Sequence, residues 1–170
     1  RLRMAFEELG PTFVKLGQVL ASRPDLIPEE YITEFERLHD NVAPLDFDVV
    51  LEVLKEDFGD TLEQRFLDIS ITPLGSASIA QVHRAKLVSG EEVVLKVQRP
   101  GIIQKINDDL SILYLLAELI STYIIETRPY NPVGLVDEYF RTLELETNFV
   151  VEANNIRRFQ ETFKTTPDIY

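Results

Sequence analysis

Three runs rich in β-branched residues lie between two helical regions, and this order constrains the fold more than any other feature of the sequence. From Ile69 onward the runs read ITPLGS, IAQVHRAKL and EEVVLKVQ, with a Ser89-Gly90 turn before the third. Alternating apolar residues joined by a tight turn are typical of antiparallel strands. Helices, a short antiparallel meander and more helices predict an α+β fold, because a doubly wound parallel sheet would alternate strands with helices.

Helical periodicity covers the region before the strands. Residues 2 to 22 have this spacing, and Gly10-Pro11 divides them into a short lead-in and a second helix. The segment EEYITEFERLH predicts another helix. A further helix, capped by Asp46 or Asp48, is expected to end near Gly59.

Two long helices are predicted after the strands, over residues 102 to 126 and 133 to about 163. The apolar run at residues 112 to 125 contains Glu118 and is shorter than the roughly 20 residues that span a bilayer. We therefore expect a core helix there. Its apolar residues at helical spacing are Ile106, Leu110, Leu113, Ala117, Ile120 and Ile124.

Composition narrows the classes of function. The chain has 170 residues and a net charge of -12, from 29 acidic and 17 basic residues, which argues against a nucleic-acid-binding surface. Cysteine is absent, so disulfides and cysteine-ligated metals are excluded. The two histidines, His39 and His83, lack the spacing of metal ligands, and we predict no metal site in this part of the protein.

Two charged residues stand in apolar surroundings. Lys96 lies in the strand EVVLKVQ, where both faces of the sheet are expected to be covered. Glu152 shares a helical stripe with apolar residues. A buried charge needs a partner of opposite sign, which predicts a Lys96–Glu152 ion pair. The alternative is that Lys96 extends from an edge strand and Glu152 faces solvent. The stripe consists of Leu145, Phe149, Glu152, Ile156, Phe159 and Phe163.

The segment PLGSASIAQVHRA brings small residues together between two predicted strands. Small side chains let the backbone approach a phosphate closely, although they also fill ordinary hairpin turns. A small-residue loop, a strand with a lysine and a later helix with a glutamate follow the order of the nucleotide lobe of protein kinases. The glycine-rich fingerprint of ordinary kinases is absent. The small residues are Gly75, Ser76, Ala77, Ser78 and Ala80.

Four segments together resemble the UbiB family of atypical kinase-like proteins: KLGQ at residues 15 to 18, PLGSASIAQVHRA, VVLKVQRPG and ELETNFVVEANN. The resemblance implies a protein-kinase-like N-lobe with a small antiparallel sheet, preceded by a helical KxGQ extension and carrying inserted long helices. It divides the chain into an extension at residues 1–68 and an N-lobe at residues 69–170. The C-lobe is expected beyond this segment.

The same resemblance implies the roles of individual residues. Lys96 and Glu152 would be catalytic. In the family the KxGQ motif packs over the nucleotide site and restricts access of a protein substrate. Lys15 and Gln18 would therefore be gating residues, with Glu146 as the partner of Lys15. Asn148 stands where the family has an aspartate, and His83 is expected to pack or hydrogen-bond within the sheet. The nucleotide would contact Leu74, Gly75, Ser76, Ala77, Ser78, Val82 and Lys96.

By this resemblance the complete protein is an atypical kinase or ATPase that uses ATP or ADP and supports prenylquinone biosynthesis or homeostasis. Its magnesium ligands and catalytic base are expected in the C-lobe, so the segment alone should be inactive. Quinone-pathway enzymes or lipid are the expected partners, with peripheral membrane association in bacteria, mitochondria or plastids. Apolar surface for this association is expected at Phe13, Val14, Leu16, Val19 and Leu20 of the extension.

Two other classes of function fit the residues. A non-catalytic, pseudokinase-like scaffold would use Lys96 and Glu152 only to secure the fold, and it would bind no nucleotide. A lipid- or quinone-binding helical module would use the helix at residues 106 to 125 as a pocket wall. A measurement of nucleotide binding distinguishes the scaffold from an enzyme. Binding of a quinone without nucleotide would identify the lipid- or quinone-binding module.

Overall fold

The computed structural model describes residues 1–38 and 42–164, so His39 lies outside the described residues. The chain divides into two compact units, Arg1–Ile106 and Asn107–Tyr170. This boundary differs from the division at residues 68 and 69, because the sheet packs with a helix that precedes it in the same unit. A division into compact units does not test whether residues 69–170 form the kinase-like lobe, so these bounds stay a prediction.

The first unit begins with a helical hairpin and a short third helix. Gly10 separates the first two helices with a φ of 103°, and Pro11 begins the second, as the sequence predicts. Phe6 and Phe35 stack with ring centroids 5.0 Å apart and help to form a small helical core. The helices are α1 (Leu2–Leu9), α2 (Pro11–Ala21) and α3 (Glu29–Phe35).

The apolar residues of α2 are buried to different extents. Phe13 and Val14 are buried, and Leu16, Val19 and Leu20 are half-buried. The expectation that they present an apolar surface is therefore wrong for Phe13 and Val14, because these two residues face the other helices of the extension. None of the helices in the described ranges is long and apolar enough to cross a membrane.

A second core lies between the next helices and the sheet. Helix α4 (Phe47–Phe58) ends before Gly59, and Asp46, one of the two expected caps, holds its N-cap position without a side-chain hydrogen bond to the helix. A 3-10 turn, Gly59–Thr61, leads into the short helix α5 (Leu62–Arg65). Residues from both helices cluster with one strand residue to form an apolar core. Its buried members are Val50, Leu54, Leu62 and Val97.

The predicted meander is present as three antiparallel strands in the order β1-β2-β3. They are β1 (Phe66–Ser76), β2 (Ala80–Leu87) and β3 (Glu92–Gln98), and the β2–β3 turn contains Gly90 with a φ of 97°. One face packs on α4 and α5 through Val97. The other face carries exposed residues, including Lys96, so the expectation that both faces are covered is wrong.

A long helix, α6 (Ile102–Tyr123), begins in the first unit and continues into the second. Four of the six residues at the predicted spacing are buried, namely Ile106, Leu110, Leu113 and Ala117. The core prediction is wrong for Ile120 and Ile124, which are exposed, as are further apolar residues on other sides of α6. These further residues include Ile112, Leu115, Leu116, Leu119 and Tyr123.

The predicted helix over residues 133 to 163 is two helices. After a 3-10 segment, Ile125–Tyr130, come α7 (Pro132–Thr147) and α8 (Phe149–Phe163), and Asn148 separates them. The prediction of a single helix is therefore wrong, because the Asn148 side chain accepts hydrogen bonds from the backbone of Val150 and Val151 and begins a new helix. The break leaves Leu145 on α7 and the rest of the predicted stripe on α8.

Candidate functional site

Three residues predicted to contact nucleotide form one row across the sheet. Gly75 of β1 pairs with Val82 of β2, and Val82 pairs with Lys96 of β3. Residues directly opposite one another in antiparallel strands point to the same face. This row therefore lies on the face that points away from α4, which we call the open face and which also carries the cross-strand pair Arg84 and Val94. Gly75, Val94 and Lys96 are exposed, and Val82 is half-buried.

The predicted loop forms a tight turn at the end of this row. Ala77 N donates to Ala80 O at 2.8 Å, and Ser78 is buried. Leu74 is exposed at the edge of the turn. A Cβ placed on Gly75 would meet no atom within 4 Å. The turn therefore has room for alanine at residue 75, and the space above Gly75 would admit a ligand close to the backbone.

The side chain of Ser76 points to the inner side of the sheet. Its Oγ accepts a hydrogen bond from Arg99 Nη2 at 2.7 Å and donates to Gln81 Oε1 at 3.3 Å. Gln81 is fully buried and pairs with Val97 on the covered face. These bonds occupy the Ser76 hydroxyl with protein partners, so a phosphate contact from Ser76 would use its main chain.

Arg99 holds the turn from the end of β3. Its Nε donates to Ala77 O at 2.8 Å, and its backbone N donates to Ile79 O at 2.9 Å. Its Nη2 also reaches Ala43 O at 2.9 Å, in the segment before α4. Burial lowers the pKa of the Arg99 guanidinium, which nevertheless stays protonated at neutral pH.

A buried glutamine and histidine extend this arrangement beneath the sheet. Gln81 Oε1 accepts from Leu45 N at 2.7 Å, which directs its amide nitrogen toward His83 Nε2 at 2.8 Å. His83 Nδ1 lies 2.7 Å from Ser70 O, and a carbonyl can only accept. The hydrogen-bond network therefore assigns the neutral His83 tautomer with its proton on Nδ1. This position agrees with the expected role of His83 within the sheet.

Sequence reasoning missed Gln81 and Arg99. Gln81, His83 and Ala85 are every second residue of β2 and therefore share one face of the sheet. A glutamine is also common on a solvent-exposed face, so the spacing did not show that this face is buried. Arg99 lies within the VVLKVQRPG segment, in which Lys96 is the residue with a predicted role. We call the bonded set of Ser70, Ser76, Gln81, His83 and Arg99 the polar cluster.

The KLGQ segment contacts Leu38, which lies shortly after α3. Gln18 Nε2 donates to Leu38 O at 3.2 Å. A Cβ on Gly17 would overlap Leu38 Cδ1 and would lie 3.0 Å from Phe6 Cδ2. Glycine is thus required for close packing, and Gln18 fixes the chain after α3. Lys15 is half-buried one turn away on α2, and gating by Lys15 and Gln18 stays a prediction.

Lys96 and Glu152 lie in different compact units, and both are exposed. The expectation that they are buried is wrong, because Lys96 stands on the open face and α8 has no buried residue within its described range. Their pairing stays a prediction, as does the role of Glu146, which is half-buried on α7.

Asn148 has a local role that the sequence did not indicate. Its Oδ1 accepts from Val150 N at 3.2 Å and from Val151 N at 3.3 Å, which caps α8. Asparagine and aspartate are equally good at this position of a helix. Asn148 therefore keeps the cap that an aspartate would form and lacks only the negative charge.

A comparison with models of known protein families shows to which family the chain belongs. Residues 37–170 match the ABC1 atypical kinase-like domain. The chain belongs to the UbiB family of such proteins. "Probable protein kinase UbiB" of Pseudomonas fluorescens is 39% identical over 170 residues, which cover all of this chain and 32% of that protein. An uncharacterised Clostridium pasteurianum protein, encoded in the 5′ region of hydrogenase 1, is 44% identical over 160 residues, or 94% of this chain and 30% of its own.

A solved structure from Mycobacterium tuberculosis, the complex of Rv3197 with erythromycin, is also similar to this UbiB-family chain. It is 29% identical with a TM-score of 0.63, and the match covers 94% of this chain and 40% of that one. The small antiparallel sheet, the family match and this neighbour identify a kinase-like N-lobe in an α+β fold. The chain spans about a third of the length of the curated relatives it matches.

Proposed function

We propose that the complete protein is an atypical kinase or ATPase that binds ATP or ADP with Mg²⁺ against the open face. The row of Gly75, Val82 and Lys96 supports this proposal, because it brings an ammonium group and an unobstructed backbone to one surface. An exposed lysine beside closely accessible backbone suits an anionic ligand such as a phosphate chain. Val82 adds apolar surface for the rest of the nucleotide.

In this site Lys96 would offset the phosphate charge, and Glu152 would orient the lysine. Residues 74–78 would cover the phosphates with main-chain groups, since the Ser76 hydroxyl is bonded within the polar cluster. Mg²⁺, when bound, would neutralise charge on the phosphates. The described residues contain no group of three acidic or histidine side chains that could hold a metal. We infer from the family relationship that the magnesium ligands would come from the C-lobe.

The cellular process is part of the same proposal. Several relatives carry the name UbiB, and we infer support of prenylquinone biosynthesis or homeostasis from that family relationship. Quinone-pathway enzymes or lipid would be the partners, with peripheral attachment to a membrane. With Phe13 and Val14 buried, exposed apolar residues of α1 such as Leu2, Met4 and Leu9 are the better candidates for an apolar contact.

Thermal stability of the complete protein with and without Mg-ATP or Mg-ADP tests the proposal, because a ligand that binds the native state raises stability. We expect a magnesium-dependent rise that Lys96→Ala lacks. Lys86→Ala is the matched control, since Lys86 is also exposed and lies on β2 about 13 Å along the strand from Val82. No rise in the wild-type protein would instead favour the non-catalytic scaffold.

A lipid- or quinone-binding module is the second candidate. The exposed apolar residues of α6, such as Leu115, Leu116 and Leu119, favour it, and the mycobacterial neighbour was solved in complex with erythromycin. Stoichiometric binding of a quinone by the complete protein without nucleotide, weakened by Leu116→Asn, would support this module. Quinone binding that requires nucleotide, or none at all, would remove it.

A further inference from the structure

We propose that Arg99 is a positioning residue for the small-residue turn, and that it ties this turn to the segment before α4. This role rests on the proposed nucleotide site and adds to it a residue that shapes the site without touching the ligand. Arg99 would determine how well residues 75–78 fit the phosphates.

The contacts of Arg99 converge on the turn from behind. The guanidinium bonds both Ala77 O and Ser76 Oγ, and the backbone nitrogen bonds Ile79 O. These groups fix three of the four residues from 76 to 79, namely Ser76, Ala77 and Ile79. A charged donor forms stronger hydrogen bonds than a neutral one, so the turn is held more firmly than an ordinary hairpin.

The guanidinium lies on the side of the sheet away from the proposed nucleotide. It bonds Ser76 Oγ, which in turn bonds Gln81 on the covered face. Lys96, by contrast, stands on the open face. The two basic groups therefore have different roles: Lys96 faces the ligand, and Arg99 faces the carbonyls that shape the turn.

The polar cluster also holds the segment just before α4, at Ala43 and Leu45. Arg99 Nη2 bonds Ala43 O, and Gln81 bonds both the N and the O of Leu45. Arg99 and Gln81 thus each form hydrogen bonds both to the turn and to this segment. A displacement of the segment would therefore change the bonds that fix the turn.

The test measures affinities of the complete protein for Mg-ATP, Mg-ADP and adenosine, the last of which lacks phosphates. We expect Arg99→Met, which keeps an unbranched stem, to weaken Mg-ATP binding roughly tenfold and adenosine binding less than twofold. Arg99→Lys should recover part of the loss, because an ammonium can replace the Nη2 bonds but not also the Nε bond. Arg37→Met is the matched control, since Arg37 is exposed and bonds Glu34 at the surface.

A double-mutant cycle with Ser76→Ala separates positioning from direct contact. If Arg99 acts through Ser76, the double variant weakens Mg-ATP binding less than the product of the single effects. Independent effects, or equal losses for Mg-ATP and adenosine, would overturn the positioning role. Should Arg99→Met fail to fold, the Arg99→Lys and Ser76→Ala variants decide the question through the same ratio of Mg-ATP to adenosine affinity.

Lys96→Ala distinguishes the two ways in which the experiment can fail. If the wild-type protein binds Mg-ATP in a manner that requires Lys96 but Arg99→Met binds it equally well, only the role of Arg99 is wrong. If the wild-type protein binds no nucleotide, the proposed function is wrong and the role of Arg99 is wrong with it.

Discussion

Lys96 of β3 lies directly opposite Val82 of β2, on the face of the sheet that points away from α4. An exposed lysine contributes little to stability even when it has a partner, because solvent screens the charge. We therefore expect Lys96→Met to change the free energy of unfolding by less than about 1 kcal/mol without nucleotide. Urea denaturation of the complete protein measures this change. A loss above about 2 kcal/mol would indicate a buried charge.

Gly17 packs where no side chain fits. Its Cβ would overlap Leu38 Cδ1, and Leu38 and Phe35 are both buried. We expect Gly17→Ala to lower the free energy of unfolding by about 1–3 kcal/mol, despite the higher helix propensity of alanine. Gly75→Ala is the matched control, because a Cβ there meets nothing, and its unfolding free energy should fall by no more than about 0.5 kcal/mol. Equal losses in the two variants would contradict the packing at Gly17.

His83 should be a neutral imidazole with its proton on Nδ1, because Ser70 O accepts from that nitrogen and Gln81 donates to the other. The ¹⁵N chemical shifts of the ring near neutral pH distinguish this tautomer from the other one. The signal is assignable with His39→Gln, since the chain has only two histidines. A proton on Nε2 would show that the polar cluster is arranged differently.

The Gln81 bond to Leu45 predicts a large effect of removing the amide. We expect Gln81→Leu to lower the free energy of unfolding by about 2–4 kcal/mol, because Leu45 N and His83 Nε2 would lose buried partners. Gln64→Leu, at an exposed position of α5, should change it by less than about 0.5 kcal/mol. Urea denaturation of both variants makes the comparison, and similar values would refute the burial of this network.

Asn148 caps α8 through its side-chain oxygen. Asn148→Ala should cost about 1 kcal/mol of stability, whereas Asn148→Asp should keep the cap and restore the family's charge. Thermal unfolding of the complete protein tests both variants. Asn155→Ala, at an exposed position inside α8, should not be destabilising, because alanine favours helix. If Asn148→Asp unfolds as readily as Asn148→Ala, the side-chain cap at residue 148 does not stabilise α8.

Tyr114 donates to Asp137 at 2.7 Å, and this hydrogen bond raises the pKa of the Tyr114 phenol above its ordinary 10.0. A raised pKa contributes stability that is present below pH 10 and is lost as pH rises through the folded-state pKa. Stability of Tyr114→Phe should therefore decline less steeply above pH 10 than that of the wild type. Tyr123→Phe, at an exposed position, should leave the decline unchanged. Phenolate absorbance should show the Tyr114 pKa moving toward 10.0 in Asp137→Asn.

Local patterns predicted the elements of this fold well. Gly10-Pro11 cannot continue a helix, and the alternating runs around Ser89-Gly90 can pair as a meander, so both followed from neighbouring residues alone. The helix break at Asn148 was missed, because an asparagine within an amphipathic pattern is compatible with either an exposed helical position or a cap. Only the backbone geometry distinguishes the two.

The sequence by itself determined which residues share a face of the sheet, since side chains alternate along every strand. It also determined the family, through short segments such as KLGQ and VVLKVQRPG. Only the tertiary structure decided that α4 covers the face with Val97 and leaves Lys96 exposed. It likewise decided that Arg99 reaches Ala43, 56 residues earlier. Periodicity is a property of adjacent residues, whereas the covering of a face and the meeting of distant groups depend on how elements pack.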